Sequence, residues 1–295
     1  MKRVRVIPRL DIKGPNLVKG VHLEGLRILG RPEIFAPKYY ADGADEILYI
    51  DSVASLYGRN HLAEMIKKAA ENIFIPLIVG GGIRSLDDIR DLLRSGADKV
   101  AINTAALKDP DLIARAAKSF GSQCIVVSIV AIERGPGRYE CLTDNAREKT
   151  GADAVEWAKK AEALGAGELL VTSVDREGTG AGYDLGLLRA VSRMARIPVI
   201  AYGGAGSKEH VLEAAQSGVD AVAAASLFHY GVLDIAQNKL DENAKEGNFE
   251  FLQKKLPIDS LHRKSIQPVS ITALKDYLRR NGVDCREPKR AVKVC

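Results

Sequence analysis

The segment IPLIVGGGIRSLDDIRDLLRSGADKVAINTAA, residues 75–106, decides the fold, because a second copy of it follows later in the chain. The copy is IPVIAYGGAGSKEHVLEAAQSGVDAVAAASLF, residues 197–228, and the two align without a gap at an offset of 122 residues. At the same offset GADEILYID (43–51) aligns with GAGELLVTS (165–173). A repeat of this length is too long for a solenoid unit, and it indicates two similar halves of one domain.

Within each half, short apolar runs alternate with segments that have helical spacing. The runs are rich in Val, Ile and Leu, which is typical of strands buried on both faces of a parallel sheet. The segments between them, such as SLDDIRDLLRSGA, place apolar residues three and four positions apart and carry glycine near their ends. Eight strands in two similar halves predict a closed (β/α)₈ TIM barrel with a two-fold internal repeat of half-barrels. A doubly wound open sheet is the alternative, but it would not explain the repeat.

The bulk composition suits one large α/β domain. The chain has 295 residues, is 46% hydrophobic and carries a formal net charge of +5. We expect the barrel to comprise residues 1–235 and 270–284, with an insertion at 236–269 and a basic, disordered tail at 285–295. Because the insertion follows the eighth predicted strand, it is expected on the catalytic face, as a lid, a partner-docking segment or a plain solvated loop.

Several classes of function are not favoured. The sequence has no run of 18 or more apolar residues, so no membrane span is expected. The N-terminus lacks the apolar length and cleavage site of a signal peptide, so a cytoplasmic location is expected. The four cysteines show no metal-ligand spacing, and we expect neither a metal nor another cofactor. The basic tail has no aromatic residues to stack on bases, so no nucleic-acid partner is expected.

Glycine-rich stretches follow the third and seventh predicted strands, at GGGI (80–83) and GGAG (203–206). Glycine lets the backbone approach a ligand closely, and the free N–H groups of the next helix favour an anion. Each half therefore predicts one phosphate site, and together they predict a long, phosphorylated small-molecule substrate. The predicted phosphate-binding residues, including those that end the neighbouring strands, are Gly81, Gly82, Asn103, Thr104, Gly203, Gly204, Ala225 and Ser226.

Polar side chains at the other strand ends are candidates for acid–base catalysis or for substrate contacts. Asp11 directly ends the first apolar strand and is the strongest candidate for catalysis. A solvated loop residue is the alternative for each of the others. The further candidates for substrate binding are Lys19, Asp51, Thr172 and Glu177.

Charged residues stand at the opposite, N-terminal ends of four predicted strands. Such residues are usually solvated, but four of mixed sign around one barrel mouth could form a ring of ion pairs that closes its floor. The sequence leaves these two alternatives open. The four residues are Arg5, Glu46, Lys99 and Glu168.

Together these features resemble the cyclase subunit of imidazole glycerol phosphate synthase. The shared motifs are LDIKG, LVKGV, IPLIVGGGIRS, GADKVAINTAA, FGSQCIVVSI, TGADAVEWAK, TSVDREGT, GGAGS and FHYG. The resemblance implies a barrel that binds a glutaminase subunit on its N-terminal face, as a heterodimer. Ammonia released by that partner would pass through the barrel and attack a biphosphorylated ribulosyl aminoimidazole carboxamide precursor. Cyclisation and cleavage would give imidazole glycerol phosphate and an aminoimidazole carboxamide ribotide.

The resemblance also assigns roles to individual residues. It implies that the four floor charges are an ammonia gate, that the glycine loops bind the two phosphates, and that Asp11 is one of two catalytic aspartates. The second catalytic aspartate falls on Val130, and Glu177 stands where the family has aspartate. Because valine carries no proton, the acid–base pair is predicted to be impaired and turnover to be weak.

The sequence is also compatible with other functions. A paralogous subunit could deliver ammonia for the conversion of an acetamido sugar to an acetamidino sugar in surface-glycan synthesis, and both Val130 and the insertion favour this. The barrel could also be a non-catalytic scaffold for a glutaminase. An aminoaldose–aminoketose isomerase would share the fold and the two phosphate sites, but it needs no ammonia path and so does not explain the floor charges.

Overall fold

A computed structural model describes residues 3–54, 62–237 and 265–287 of the chain. Its strands are β1 (Arg5–Lys13), β2 (Asn16–Val21), β3 (Glu24–Gly30), β4 (Ile47–Asp51), β5 (Leu77–Gly80), β6 (Lys99–Ile102), β7 (Ile125–Gly135), β8 (Arg138–Thr143), β9 (Glu148–Asp153), β10 (Glu168–Ser173), β11 (Val199–Tyr202) and β12 (Ala221–Ala224). Its helices are α1 (Pro32–Ala41), α2 (Leu62–Ala70), α3 (Leu86–Arg94), α4 (Thr104–Lys108), α5 (Asp111–Phe120), α6 (Ala154–Ala163), α7 (Leu185–Met194), α8 (Lys208–Ala215), α9 (Ser226–Gln237) and α10 (Ile271–Arg280).

Within the described residues, eight parallel strands form a closed barrel. Their order is β1, β4, β5, β6, β7, β10, β11 and β12, and β12 pairs with β1 to close the ring. The strands are buried and helices lie between them, so the predicted (β/α)₈ barrel is confirmed. The two halves of the barrel correspond to the two copies of the sequence repeat.

Two antiparallel extensions rise from the carboxyl ends of the barrel, at equivalent places in the two halves. The first hairpin is formed by β2 and β3, which follow β1, and the second extension is formed by β8 and β9, which follow β7. The first hairpin turns at His22 and Leu23, which have φ of 54° and 63°. Such turns normally contain Asn and Gly, so this hairpin could not be predicted from its turn residues.

The interior of the barrel is apolar over most of its length. Successive strand residues point to opposite faces, so alternate residues of each strand fill the barrel while the others pack against the helices. Each large apolar side chain buried in this way contributes about 1.5–3 kcal/mol. The interior residues are Ile7, Leu48, Ile78, Ala101, Val126, Leu170, Ile200, Tyr202, Ala221 and Ala223.

The C-terminal part of the described chain packs against the barrel near the N-terminal ends of the first strands. Lys275 is fully buried, and its ammonium donates to Asp45 Oδ1 and to the carbonyl of Gly43, each at 2.7 Å. Arg286 Nε donates to the same Asp45 oxygen at 2.7 Å, and Cys285 is buried. The first residues of the predicted basic tail therefore belong to the folded body.

Two of the predicted segments lie largely outside the described residues. These are the part of the insertion at 238–264 and the part of the tail at 288–295. The last residues of the insertion, 265–269, are described and run beside the second glycine loop, where Gln267 N donates to the carbonyl of Gly206 at 2.7 Å. In the described part of the chain, no helix has the length and apolar character needed to cross a membrane.

Candidate active site

The four charged residues predicted at the strand entries form a ring of ion pairs. Arg5 Nη1 lies 2.5 Å from Glu46 Oε1, and its other terminal nitrogen donates to Glu168. Lys99 Nζ lies 3.1 Å from both Glu46 oxygens and 2.8 Å from Glu168 Oε2. Each carboxylate thus binds both cations, and Glu46 and Glu168 are only 5% and 3% exposed. The ion-pair ring, and not the solvated alternative, is what the structure contains at the N-terminal mouth.

Strand β1 connects this floor to the opposite mouth of the barrel. Two-residue alternation places Arg5, Ile7, Arg9 and Asp11 on the same inward-facing side of β1. Arg5 belongs to the floor ring and Ile7 to the apolar interior, while Arg9 and Asp11 stand near the carboxyl end. A passage through the barrel would therefore run from a charged floor, through an apolar interior, to a charged top.

Asp11 is buried and held by neighbours that sequence reasoning missed. Arg9 donates from Nε and Nη2 to Asp11 Oδ1, at 3.0 and 2.7 Å. The guanidinium also lies 3.9 Å from the centre of the Tyr202 ring. Ser52 Oγ and the Tyr202 hydroxyl approach the two Asp11 oxygens, each at 3.4 Å. The two-residue alternation along β1 was the available signal for Arg9.

Glu177 lies on the loop after β10, close to Asp11 and Tyr202. Its Oε1 is 3.3 Å from the Tyr202 hydroxyl, and its Oε2 accepts a hydrogen bond from Leu23 N at 2.8 Å. Burial raises the pKa of Glu177, and the negative charge of Asp11 raises it further. Burial also lowers the pKa of Lys19, although Glu177 opposes that effect. The top of the barrel therefore holds an acidic pair within a set of buried cations.

Two cavities open at the carboxyl ends of the strands, and the predicted binding residues divide between them. The larger cavity has a volume of about 330 Å³ and is also lined by Arg9, Arg84, Lys108 and Ser128. The smaller has a volume of about 20 Å³ and is also lined by Ile266, near the end of the insertion. Predicted residues that line the larger cavity are Asp51, Gly81, Gly82, Asn103, Thr104, Val130 and Thr172. Those that line the smaller are Glu177, Gly203, Gly204, Ala225 and Ser226. Asp11 and Lys19 line neither cavity in the described structure. Asp11 instead binds Arg9, which lines the larger cavity.

The glycine loops have backbone conformations that side chains would not tolerate. Gly81 has φ of 99°, and a Cβ there would lie 2.3 Å from the carbonyl oxygen of Asp51. Gly204 has φ of 100°, and a Cβ there would lie 2.1 Å from the carbonyl oxygen of Gly182. These positions need glycine for close backbone packing, which brings each loop onto the rim of its cavity.

Serine residues cap both helices that follow the glycine loops. Ser85 caps α3 by accepting from Asp88 N at 3.1 Å, and the Asp88 carboxylate accepts from Ser85 N at 3.0 Å. Ser207 caps α8 by accepting from His210 N at 3.4 Å. One N–H group in the first turn of each helix thus has a side-chain partner. An anion would depend on the other N–H groups of the loops and helix N-termini, including those of α4 and α9, which begin at Thr104 and Ser226.

Val130 lies on the inward face of β7 beneath the two antiparallel extensions. It is 9% exposed and packs in an apolar cluster with Leu23, Leu142 and Val174. Asn145 Nδ2 donates to the carbonyl of Leu23 at 2.9 Å, so the extensions meet above this cluster. The surroundings of Val130 are therefore apolar, although it lines the larger cavity.

A closed barrel with both cavities at the carboxyl ends of its strands defines a (β/α)₈-barrel enzyme. Residues 5–234 match the family described as histidine biosynthesis protein. The imidazole glycerol phosphate synthase subunit HisF of Legionella pneumophila is 62% identical over 209 residues, covering 71% of this chain and 99% of that protein. The subunit of the same name from Pyrobaculum aerophilum is 53% identical over 238 residues, covering 80% of this chain and 94% of that protein. This chain therefore belongs to the histidine biosynthesis protein family.

Proposed function

We propose that this chain is the cyclase subunit of an imidazole glycerol phosphate synthase, which uses ammonia supplied by a glutaminase partner. The observation that carries the proposal is the layered interior: an ion-pair floor, an apolar middle and a buried carboxylate at the top. An isomerase of the same fold has no use for a gated floor. High identity over nearly the whole length of two subunits named HisF favours this function over the acetamidino-sugar alternative.

The floor ring supports docking of the glutaminase on the N-terminal face. Ammonia is small and neutral, so it can cross an apolar interior that excludes ions. The ring is held by interactions that a docked partner could rearrange, because Arg5 and Lys99 each bind both carboxylates and keep partly exposed side chains. In this function the ring opens toward the partner and stays closed in the isolated chain.

The two cavities support a substrate with a phosphate at each end, the biphosphorylated ribulosyl precursor. Arg84 and Lys108 add positive charge to the larger cavity. The narrower second site, lined by Gly203, Gly204 and Ser226, would take the other phosphate after Ile266 moves aside. The reacting carbons then lie near Asp11, which can remove a proton from the substrate.

The test is turnover of the ribulosyl precursor by the purified chain with an ammonium salt as nitrogen source, with both products quantified. We expect ammonia-dependent formation of imidazole glycerol phosphate, and its loss in Asp11→Asn. The purified chain should not hydrolyse glutamine, because the buried Cys141 has a pKa of about 12, raised mainly by burial, and cannot serve as a thiolate nucleophile. No turnover by a folded chain that binds inorganic phosphate would reject the cyclase function and favour the scaffold.

The partner is tested by mixing the chain with a glutaminase subunit from the same source. A 1:1 complex and glutamine-dependent turnover are expected. Reversing charge at the floor with Glu46→Lys should weaken that complex, whereas Glu148→Lys, an exposed position on the opposite face, should leave it intact. Equal binding by both variants would place the interface elsewhere.

A further inference from the structure

Val130 carries no acid–base group at the position where the family resemblance implies one, so another acid at the barrel top must supply it. Cyclisation with cleavage requires one proton to be removed and another to be delivered. Glu133 lies beyond the cavity linings and is largely exposed. Glu177 is 4% exposed, lines the smaller cavity and points toward Asp11. It is therefore the acid whose position fits the missing role.

Three side-chain oxygens form a line from Asp11 to Glu177. The Tyr202 hydroxyl lies 3.4 Å from Asp11 Oδ2 and 3.3 Å from Glu177 Oε1. A hydrogen bond across each of the two gaps needs one proton, so the three oxygens need two. The Tyr202 hydroxyl supplies one of them. Asp11 accepts two hydrogen bonds from the Arg9 guanidinium, whereas the Glu177 carboxyl accepts one from Leu23 N and contacts no guanidinium in the described structure. The second proton in the line therefore resides on Glu177. Both gaps are longer than an ordinary O–H···O bond, as is common before a ligand binds.

The groups that face Glu177 are consistent with this proton. Burial is the main cause of the raised pKa of Glu177, and Asp11 adds to it, while Arg9, Lys19 and the N–H of Leu23 oppose it. Burial likewise raises the pKa of Tyr202 well above its ordinary value, so its phenol keeps its proton. Glu177 can thus hold a proton at a pH at which an ordinary glutamate has lost it.

We propose that Glu177 is the second acid–base group of this cyclase, linked to Asp11 through the hydroxyl of Tyr202. The proposal rests on the cyclase function given above. Glutamate is one methylene longer than the aspartate of the family, and this length lets the carboxyl contact Tyr202 from the loop after β10. Tyr202 is a positioning residue that relays protons between the two acids.

The proton transfers balance over one turnover. The O–H bond of Glu177 breaks as an N–H bond forms on the leaving nitrogen of the substrate, and Glu177 becomes a carboxylate. Asp11 takes one proton from the substrate and becomes a carboxylic acid. Asp11 then passes a proton to the Tyr202 oxygen as Tyr202 passes its own to Glu177. Both acids return to their starting states, and no further reactant is needed.

The experiment measures ammonia-dependent kcat and KM for the ribulosyl precursor in the full chain and in Glu177→Gln. Glutamine keeps an oxygen to accept from Leu23 N, so the hairpin contact survives. We expect kcat to fall about a hundredfold, the low end of the contribution of a placed acid–base group, with little change in KM. Asp175→Asn is the matched control, because it removes an exposed charge two residues away, and it should leave kcat unchanged.

Rescue separates proton transfer from a structural role. Val130→Asp should restore at least about tenfold of the activity lost in Glu177→Gln, because it places an acid at the barrel top on the lining of the larger cavity. At a fixed concentration of unprotonated ammonia, wild-type kcat should fall as the pH rises through the pKa of Glu177. That decline should be absent from Glu177→Gln.

The outcomes distinguish this proposal from the cyclase function itself. If the wild-type chain does not turn over the precursor, the cyclase function fails. If wild type is active and Glu177→Gln has the same kcat, or loses activity only through KM, the acid–base role of Glu177 is wrong. A double variant that melts like wild type and binds inorganic phosphate, but shows no rescue, would also overturn it. If Glu177→Gln does not fold, the wild-type pH profile and the kcat of Glu177→Asp test the acid–base role of Glu177 instead.

Discussion

Removal of one cation from the floor ring should both destabilise the barrel and open its N-terminal mouth. Lys99→Met keeps most of the side-chain volume but leaves Glu46 and Glu168 with Arg5 as their shared partner. Opposite charges about 3 Å apart attract by about 5 kcal/mol at an effective dielectric constant of 20. The Lys99 ammonium forms two such pairs, with the carboxylates of Glu46 and Glu168, at 2.8 to 3.1 Å. Desolvation offsets much of this, and breaking a buried pair typically costs 3–5 kcal/mol. Because Arg5 remains, we expect a loss of about 3 kcal/mol and a decrease in Tm of about 6–12 °C.

Lys99→Met should also lower glutamine-dependent turnover more than ammonia-dependent turnover. In complex with a glutaminase, the ratio of glutamine-dependent to ammonia-dependent turnover should fall about tenfold, equivalent to about 1.4 kcal/mol, because released ammonia escapes through the opened floor. Turnover driven by external ammonium salt should persist. Lys67→Met, at an exposed position on α2, is the matched control for loss of a lysine. An unchanged ratio together with an unchanged Tm would refute the assignment of the ring as the gate.

Three other perturbations test the barrel top and its surroundings. The raised pKa of Glu177 means that its stabilising contribution is present while it is protonated and is lost as pH rises through that pKa, so Glu177→Gln should melt higher than wild type at pH 8 but not at pH 4. Burial lowers the pKa of His229 to about 3, so wild-type stability should decline as pH falls from about 6.5 toward 3, and melts of His229→Gln should show a shallower decline. Gly81→Ala should abolish the increase in Tm produced by inorganic phosphate, because a Cβ there meets the backbone of Asp51 at 2.3 Å.

The barrel could be predicted because its signals are local and repeated. Strand runs such as PLIV and AVAAAS carry enough apolar residues to be buried on both faces, and the repeat fixes their number and order. The residues of the floor ring could be placed because every parallel strand enters the barrel from the same end. Their pairing could not be decided in advance, since strand-entry charges are solvated in most proteins and only distances distinguish the two cases.

The features that could not be predicted from the sequence depend on contacts between distant segments of the chain. Tyr202 belongs to β11 and reaches Asp11 on β1 across 191 positions of the chain, so no spacing rule connects them. The first hairpin depends on Leu23 and His22 in left-handed conformations, which tertiary contacts to Glu177 and Val174 stabilise. Such conformations in non-glycine residues cost about 1–3 kcal/mol and persist only when the surroundings hold them.

The two departures from the family pattern can be explained by one rearrangement. A carboxyl group at position 130 would be buried among Leu23, Leu142 and Val174, where burial favours its protonated form over its charged form. Valine instead lets the hairpin tip pack into the barrel mouth. That packing brings Leu23 N to Glu177 Oε2, and so holds the longer acid beside Tyr202. In the proposed function, the absence of an acid at Val130 and the longer side chain at Glu177 therefore have one structural cause. The hairpin that packs on Val130 beside the larger cavity is the same element that positions the carboxyl of Glu177 beside the smaller one.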